Sequence, residues 1–464
     1  MRLGDICSKI GSGATPRGGK EAYSASGIPI IRSQNVLDWS FSSNGLAYLN
    51  DEQARTLSNV EVHQGDILLN ITGDSVARAC IVPSDVIPAR VNQHVAILRP
   101  KEKANATFIL AWLQTNKDLL LKLASSGATR NALTKRMLEG LDINLPSIDI
   151  QNHIAALISL IQSKINLNIK LNGYLLELAT TRFEQALFKS NRVVRLGDIV
   201  KLEDSKRVPL NSRDRDARKG PYPYYGATSI MDYVDDYLFD GIRVLLGEDG
   251  SVIDESGRPI LQYVWGKYWV NNHAHILAAA SDYSLEAIYI ALQRTPISHI
   301  VTGAVQRKIS QRNLNKLKLE MPDAKSLEYL QDIFAAYRCN CEENRGLVSL
   351  RDALLPKLMS GEIDVSKIDL MQLNSHLAEY STVLGKLFPL STLKGTVMEN
   401  AIQLILAQMQ SVLNSPQLKR LKTVLTEILP GGKTIKDDSE LLPLFLTAKE
   451  VEGCSSKTIE YYRS

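Results

Sequence analysis

Arg2-Leu3-Gly4-Asp5-Ile6 returns as Arg195-Leu196-Gly197-Asp198-Ile199, 193 residues later, and the fold turns on that repetition. Working outward, Val91-Asn92-Gln93-His94 with Ile97-Leu98 returns 179 residues on as Val270-Asn271-Asn272-His273 with Ile276-Leu277. Gly127-Ala128 followed by Leu145-Pro146 returns 176 residues on as Gly303-Ala304 followed by Met321-Pro322. The order of the signals is kept while the offset shrinks, so the chain carries a duplication whose first copy has extra loop residues. Two copies are too few for a solenoid. They suit a pseudo-dimer folded from one chain about an approximate two-fold axis.

Each copy has a β-rich part and a helical part. Residues 1–147 and 191–324 hold apolar runs of strand length, such as Ile28-Pro29-Ile30-Ile31, Ile67-Leu68-Leu69, Val95-Ala96-Ile97-Leu98, Arg243-Val244-Leu245-Leu246 and Tyr263-Val264-Trp265. Gly, Asn, Asp and Pro punctuate them. Short helical patterns intervene, over Phe108 to Leu123 and Leu285 to Gln293. The expected class is α+β.

Residues 148–190 read as one long helix without a proline between 150 and 188, with a heptad-like apolar seam through Ile154, Ile158, Ile161, Ile165, Leu175, Leu178 and Phe183. Residues 325–365 read as its copy. Leu330, Ile333, Tyr337, Leu347 and Leu350 follow Ile158, Ile161, Ile165, Leu175 and Leu178 at a constant 172 residues, and Leu354 and Leu358 continue the second seam. A constant offset is what a paired helix requires. Asn168 and Asn172 interrupt the first seam, and Asn340 and Asn344 the second. Seam asparagines cost stability and fix register. In an antiparallel coiled coil with a pseudo-two-fold axis, Asn168 faces Asn344 and Asn172 faces Asn340; the alternative is four exposed helix asparagines. Helices of about 40 residues reach roughly 60 Å, a spacer that suits a rod-like ligand with repeated half-sites such as double-stranded DNA.

Composition narrows the classes. The 464 residues exceed one ordinary core, and a 44% hydrophobic fraction argues against wholesale disorder. No apolar run reaches about 18 residues, so no membrane span or membrane partner is expected. The N-terminus lacks an apolar signal core, and five scattered cysteines make no disulfide framework. A cytoplasmic protein is expected. Lys+Arg 54 against Asp+Glu 50 excludes polyanion binding by bulk charge and leaves room for local basic patches.

Two basic segments occupy matching places after a Gly-Ala turn. The first is Thr129-Arg130-Asn131-Ala132-Leu133-Thr134-Lys135-Arg136, and the second is Gln306-Arg307-Lys308-Ile309-Ser310-Gln311-Arg312. Their hydroxyl, amide and cationic side chains suit phosphates and base edges, making Arg130, Lys135, Arg136, Arg307, Lys308 and Arg312 candidates for DNA contact. The loop 12–20 adds Thr15, Arg17 and Lys20, and Arg32, Gln34 and Asn35 carry the groups that read guanine and adenine. In the second copy Lys206, Arg207, Tyr224 and Thr228 are candidates; the tyrosines of 222–225 either pack in the core or touch sugar and base. His273 and His275 share a strand face, but no third ligand is spaced for a metal, so no metal site is expected. Gly13 to Lys20 fails as a phosphate-binding loop, since Ala14 and Glu21 stand where glycine and Ser or Thr are needed. No nucleophile elbow, His-Glu-x-x-His or amino-methyltransferase tetrapeptide occurs, so the chain is expected to be non-catalytic. The competing class is a protein-interaction scaffold with duplicated β-rich domains that binds no DNA.

The ordered set resembles the specificity subunit (HsdS) of type I restriction–modification systems. The residues that carry the resemblance are the two Arg-Leu-Gly-Asp-Ile segments with their β-rich domains and long helices. Trp269-Val270-Asn271-Asn272-His273-Ala274-His275-Ile276-Leu277 and Ala353-Leu354-Leu355-Pro356-Lys357-Leu358-Met359-Ser360-Gly361-Glu362-Ile363 add to it. It covers about residues 1–365. It implies two target-recognition domains, each reading half of a bipartite asymmetric DNA sequence, and helices that set the spacing and recruit two modification (methyltransferase) subunits. It implies no cofactor in this chain. S-adenosylmethionine for adenine methylation, and ATP with Mg for the restriction subunits, belong to the partners.

Residues 366–464 depart from that family. After a linker over 366–397, residues 398–464 form a small helical appendage in which Leu444 to Ser464 is similar to the opening of the core-binding, SAM-like domain of a tyrosine recombinase (phage integrase). That resemblance implies a specificity gene fused to a neighbouring recombinase frame near Met398. Recombinase activity is not expected, because that family's catalytic residues lie in a domain beyond the resemblance.

Overall fold

The computed structural model describes residues 1–16, 18, 22–125, 131–303 and 306–365. The candidates Arg17, Lys20 and Arg130, and the whole of the linker and appendage over 366–464, lie outside the described residues. The described residues fall into two compact units, one made of Met1–Asn168 with the stretch from Glu343, the other of Ile169–Glu342.

In chain order the first unit contains α1 (Leu3–Ile6), β1 (Cys7–Ser12), β2 (Ile28–Ile31), β3 (Ala47–Leu49), α2 (Asp51–Thr56), β4 (Glu61–Val62), β5 (Ile67–Asn70), β6 (Ala79–Ile81), β7 (Ala89–Val91), β8 (Val95–Pro100), α3 (Ala106–Thr115), α4 (Lys117–Ser125), α5 (Lys135–Glu139) and the first half of α6 (Ile148–Lys189). One sheet runs β1-β8-β5-β6 and is antiparallel throughout. The other runs β3-β2-β7-β4, with β2 and β7 parallel. The two-residue period of β5 explains their stacking. Ile67 and Leu69 face the core under α3, while Leu68 faces the core between the sheets. The helical pattern expected over Phe108 to Leu123 is two helices, because Asn116 turns back to hydrogen-bond the Trp112 carbonyl with its side chain.

The second unit follows with β9 (Arg192–Arg195), α7 (Leu196–Ile199), β10 (Val200–Leu202), α8 (Ser212–Ala217), β11 (Lys219–Tyr225), β12 (Ile230–Val234), β13 (Phe239–Asp240), β14 (Arg243–Gly247), β15 (Leu261–Val264), β16 (Lys267–Val270), β17 (Ala274–Ala279), α9 (Leu285–Arg294), β18 (Val301–Thr302), β19 (Lys308–Ile309), α10 (Gln311–Asn315), β20 (Lys318–Met321) and α11 (Tyr329–Ser360). Its sheets run β10-β17-β14-β15 and β12-β11-β16-β13, with β11 and β16 parallel. These two sheets repeat the topology of the first unit strand for strand, and the second unit adds two antiparallel pairs, β9 with β20 and β18 with β19. The class is α+β, with each β-rich domain packed on long helices.

The Arg-Leu-Gly-Asp-Ile segments are the first turn of each domain. Their leucines and isoleucines are buried, and the amides of Leu3 and Leu196 each donate to a distant carbonyl, Leu141 and Leu317, at 2.8 Å. The glycine is required by close approach. A Cβ on Gly4 would lie 3.2 Å from Glu139, and one on Gly197 2.9 Å from Asn315. Gly197→Ala is therefore expected to cost about 1–3 kcal/mol, and Gly4→Ala less. Thermal unfolding of the two variants checks the order, and equal losses would contradict it.

The long helices pair antiparallel, and their asparagines meet as the two-fold argument requires. In the first unit Asn168 donates from Nδ2 to Asn344 Oδ1 at 2.9 Å, and Asn344 donates to the Ile165 carbonyl at 3.2 Å. In the second, Asn340 donates to Asn172 Oδ1 at 2.8 Å, and Asn172 donates to the Tyr337 carbonyl at 3.2 Å. Each bond maps onto its partner by the repeat offset. Ile158 and Ile165 are buried, while Ile161, Leu175, Ile333, Tyr337 and Leu347 are half-buried. Leu178 and Leu350 correct the expected seam: they are 43% and 49% exposed. Each occupies one place in the heptad count, but the buried positions the count left out are Ala179 in the second unit and Leu355 in the first, beside Phe183 and Leu358 which it included, because the helices pack against β-rich domains as well as each other. The second helix is also shorter than expected. It has 32 residues against 42 for α6, since the chain makes a 3-10 turn over Ala324–Leu327 first.

Candidate nucleic-acid interface

In each unit four segments meet at one end of the first-named sheet: the segments leaving β1 and β5, the turn entering β8, and the segment before α5. In the first unit Gly13 and Ala14 donate to the Val95 and Val91 carbonyls, at 3.0 and 3.1 Å. A Cβ on Gly13 would sit 1.9 Å from the Val91 oxygen, so only glycine lets this loop lie against the turn. Thr72 bridges Ala132, and Gly73 donates to the Asn131 carbonyl at 3.2 Å. In the second unit Asp249 bridges Lys308, and Gly250 donates to the Arg307 carbonyl at 3.0 Å. The segments following the two Gly-Ala turns thus reach equivalent places.

The turn between β7 and β8 has the same design as that between β16 and β17. Asn92 and Asn271 are buried, and each side-chain oxygen accepts the amide two residues on, at 3.1 and 2.8 Å. Gln93 and Asn272 are then pushed outward and exposed. His94 is braced by Thr72 Oγ1 and His273 by Asp249 Oδ1, each at 2.7 Å from the histidine Nδ1. An exposed carboxamide carries both a donor and an acceptor, the pair of groups that matches an adenine edge. Sequence reasoning used these residues only to mark the repeat and to test for zinc. Their signal was the buried asparagine followed by an amide and a histidine in both copies.

The other candidates divide by exposure. Lys135, Arg136, Lys206, Thr228, Arg307, Lys308 and Arg312 are exposed, and Thr15 is half-buried. Lys135 pairs with Glu139 at 3.5 Å, Lys206 with Glu203 at 2.6 Å and Lys308 with Glu248 at 3.2 Å. Gln34 is exposed and donates to the Gly45 carbonyl at 3.2 Å. Three candidates are corrected outright. Asn35 is fully buried, with its amide spent on the Ser42 and Asn44 carbonyls and its oxygen on the Arg32 amide. Tyr224 is a core side chain whose hydroxyl meets Leu210. Arg207 lies inward, donating to Glu248 at 2.7 Å and to the Ala274 carbonyl at 2.7 Å. Arg32 is also spent locally, on the Gly45 carbonyl and over the Tyr23 ring.

The expectation that no third ligand stands near His275 is corrected as well. Asp204 and Glu248 bring carboxylate oxygens so close that all three ligand atoms lie within 4.8 Å of one another. They come from three separate segments, so sequence spacing did not reveal them. Their lone pairs and protons are spent on Arg207, Lys308, Gln311 and the Ile309 carbonyl. The cluster is an ion-pair network filled by the protein's own cations.

No helix among the described residues is long and apolar enough to cross a membrane. A type I restriction enzyme specificity subunit of Haemophilus influenzae is 30% identical over 127 residues, which is 27% of this chain and 32%, about a third, of that protein. The MjaX specificity subunit of Methanocaldococcus jannaschii is 20% identical over 400 residues, covering 78% of this chain and 93% of that one. The MjaIX specificity subunit of the same organism is 22% identical over 411 residues, covering 79% and 94%. The solved S subunit of a type I restriction–modification system from M. genitalium superposes with a TM-score of 0.48 at 15% identity, over 77% of this chain and 95% of that one. The model of the type I restriction modification DNA specificity domain matches twice, at residues 1–175 and 189–337. The chain belongs to the type I restriction modification DNA specificity family.

Proposed function

We propose that this chain reads a bipartite, asymmetric DNA target, one half with each β-rich domain, and that it carries two modification subunits. Those partners supply S-adenosylmethionine and methylate adenine, and restriction subunits add ATP-driven cleavage. The chain itself contributes recognition, needs no cofactor and works in the cytoplasm. The observation that carries the reading is the duplicated sheet end. Arg136 and Arg312, and the outward amides of Gln93 and Asn272, stand there at equivalent places in both units, while Asn131 and Ala132 stand where the second unit has Arg307 and Lys308. A shared scaffold with unlike contacts is what two different half-sites require.

Comparing the host's methylated positions with and without this gene tests the reading: a gapped adenine motif should vanish with the gene. If no motif changes, DNA specificity is excluded and the interaction scaffold is favoured. Salt separates the two as well, since DNA affinity falls with a log–log slope near −0.9 per phosphate neutralised. Within this reading Arg307→Ala is expected to weaken the second half-site by about 1–3 kcal/mol if it reads a base. Competition with duplexes altered in one half measures it. An equal loss on every sequence would make Arg307 a phosphate contact.

A further inference from the structure

In the second unit the turn between β16 and β17 is fastened to a neighbour on each side. The Glu248 amide donates to the His273 carbonyl at 2.8 Å, and the Gly250 amide to the Arg307 carbonyl at 3.0 Å, which ties the turn to the basic segment. The Asn271 side chain faces two ways. Its Oδ1 accepts the His273 amide at 2.8 Å, and its Nδ2 donates to Met231 Sδ at 3.2 Å. The residue that turns Asn272 outward therefore also holds a methionine.

Met231 is the second residue of β12, the edge strand of its sheet, and it is 52% exposed. Its sulfur has a fixed bed. A Cβ on Gly226, at the hairpin tip, would lie 2.6 Å from Met231 Sδ, so the missing side chain is what seats the thioether. An exposed apolar edge invites self-pairing, and natural edges are blunted with charge. The next residue, Asp232, is blunted in that way, by Lys219 at 2.7 Å and Arg215 at 3.4 Å. Ile230 and Met231 are left apolar and exposed at the tip. The first unit is built otherwise. Strand registers set Ile30, Ile31 and Ala47 where the second unit has Tyr224, Tyr225 and Asp232, so Leu46 stands at the place of Met231 and Arg32 at that of Gly226. Leu46 packs on the core between the sheets, and Arg32 donates to the Gly45 carbonyl.

We propose that Met231 is a specificity-determining residue of the second DNA reader, its thioether end meeting the C5-methyl group of a thymine in the second half-site. This rests on the DNA-reading function proposed above. Among the groups that base edges show in the major groove, the apolar one is the thymine methyl. A side chain that is neither charged nor a donor, seated beside an outward amide, has that group to meet. The polarizable, unbranched thioether suits a shallow apolar contact.

The test replaces, one at a time, each thymine in the second half of a duplex carrying the motif defined by methylation with deoxyuridine, which pairs as thymine does and lacks only the methyl. At one position the full chain is expected to bind about fourfold more weakly, the worth of one buried methyl. The salt dependence is expected to stay level there, because no phosphate contact is lost. Met231→Ala is expected to bind the thymine and deoxyuridine duplexes alike. Gly226→Ala keeps the methionine but fills the bed of its sulfur, and it is expected to lose the discrimination too, which separates placement from presence. A second half without an A·T pair, or wild-type affinity that ignores every replacement, overturns the thymine contact. So does discrimination that survives in either variant. If the full chain shows no sequence selectivity on any duplex, the DNA-reading function itself fails.

Discussion

Phe334→Ala is expected to destabilise the second unit by about 3–5 kcal/mol, the cost of emptying a large aromatic site in a packed core. Phe334 is 1% exposed on the inner face of α11. Its ring centroid lies 4.9 Å from that of Tyr263, 5.9 Å from Tyr289 and 6.1 Å from Tyr337. Tyr263 is on β15 and Tyr289 on α9, so the ring joins the spacer helix to both the sheet and the helix of the target domain. The cluster is dry enough that burial pushes the Tyr337 hydroxyl up to about 12. The adjoining rings are held by contacts of their own, Tyr263 against Tyr289 at 5.6 Å and Tyr337 against Trp265 at 6.2 Å, so no neighbour refills the site. For a unit of this size the loss corresponds to a fall in Tm of roughly 6–20 °C. Calorimetry of the full chain, with hydrogen exchange to assign the transition, checks it. Leu350→Ala is the control: at 49% exposed it should change stability by no more than about 0.5 kcal/mol. A loss of similar size in both would mean the helix face has been misassigned.

Phe334 also shows where sequence reading stops. The heptad-like count found the helices, their repeat and their asparagine pairs, because those depend on spacing along one chain. It chose Leu178 over Ala179 and Ile333 over Phe334, because a helix that packs on a partner helix and a domain buries a wider stripe than a two-position seam. The strands at Ile28, Ile67, Val95 and Arg243 were legible from apolar runs and turn residues, and the doubled motifs implied the doubled sheets. The site was legible only in outline. Repetition located the segments before α5 and α10, and Arg307 and Arg312 are exposed there as a contact role needs. Exposure cannot be read from residue type, so Asn35 and Tyr224 looked like readers until their partners were seen. Arg207 has a reader's chemistry but is committed to the Glu248 carboxylate, 41 residues away in sequence. The buried cluster of Asp204, Glu248 and His275 is the deepest omission, since it is assembled from three strand ends.

Arg338→Met is expected to cost about 3 kcal/mol, within the range for stranding one member of a buried pair. Arg338 Nη1, from α11, meets the Tyr263 hydroxyl and lies 3.3 Å from Glu286 Oε1, while Tyr263 donates to the same carboxylate oxygen at 2.6 Å. Glu286 is buried in the first turn of α9, where the helix N-terminus favours a negative charge but does not replace a guanidinium. With methionine at 338 the aliphatic volume is kept and the charge is not, so the loss reports electrostatics rather than a cavity. Arg338 keeps a partly open edge, which holds the figure at the low end. The companion Arg338→Met, Glu286→Leu chain carries no stranded charge and should recover most of the loss, because a buried ion pair and an apolar pair of similar volume are close in stability. Tyr263 then keeps its ring contacts and loses its acceptor, which limits the recovery by about 1 kcal/mol. A double-mutant cycle by urea unfolding measures the coupling. If the two changes simply add, the triad does not fasten the helix to the domain. If the double variant recovers, the ion pair is replaceable for stability, and what remains to account for it is the fixed orientation of three donors and acceptors that an apolar pair does not impose.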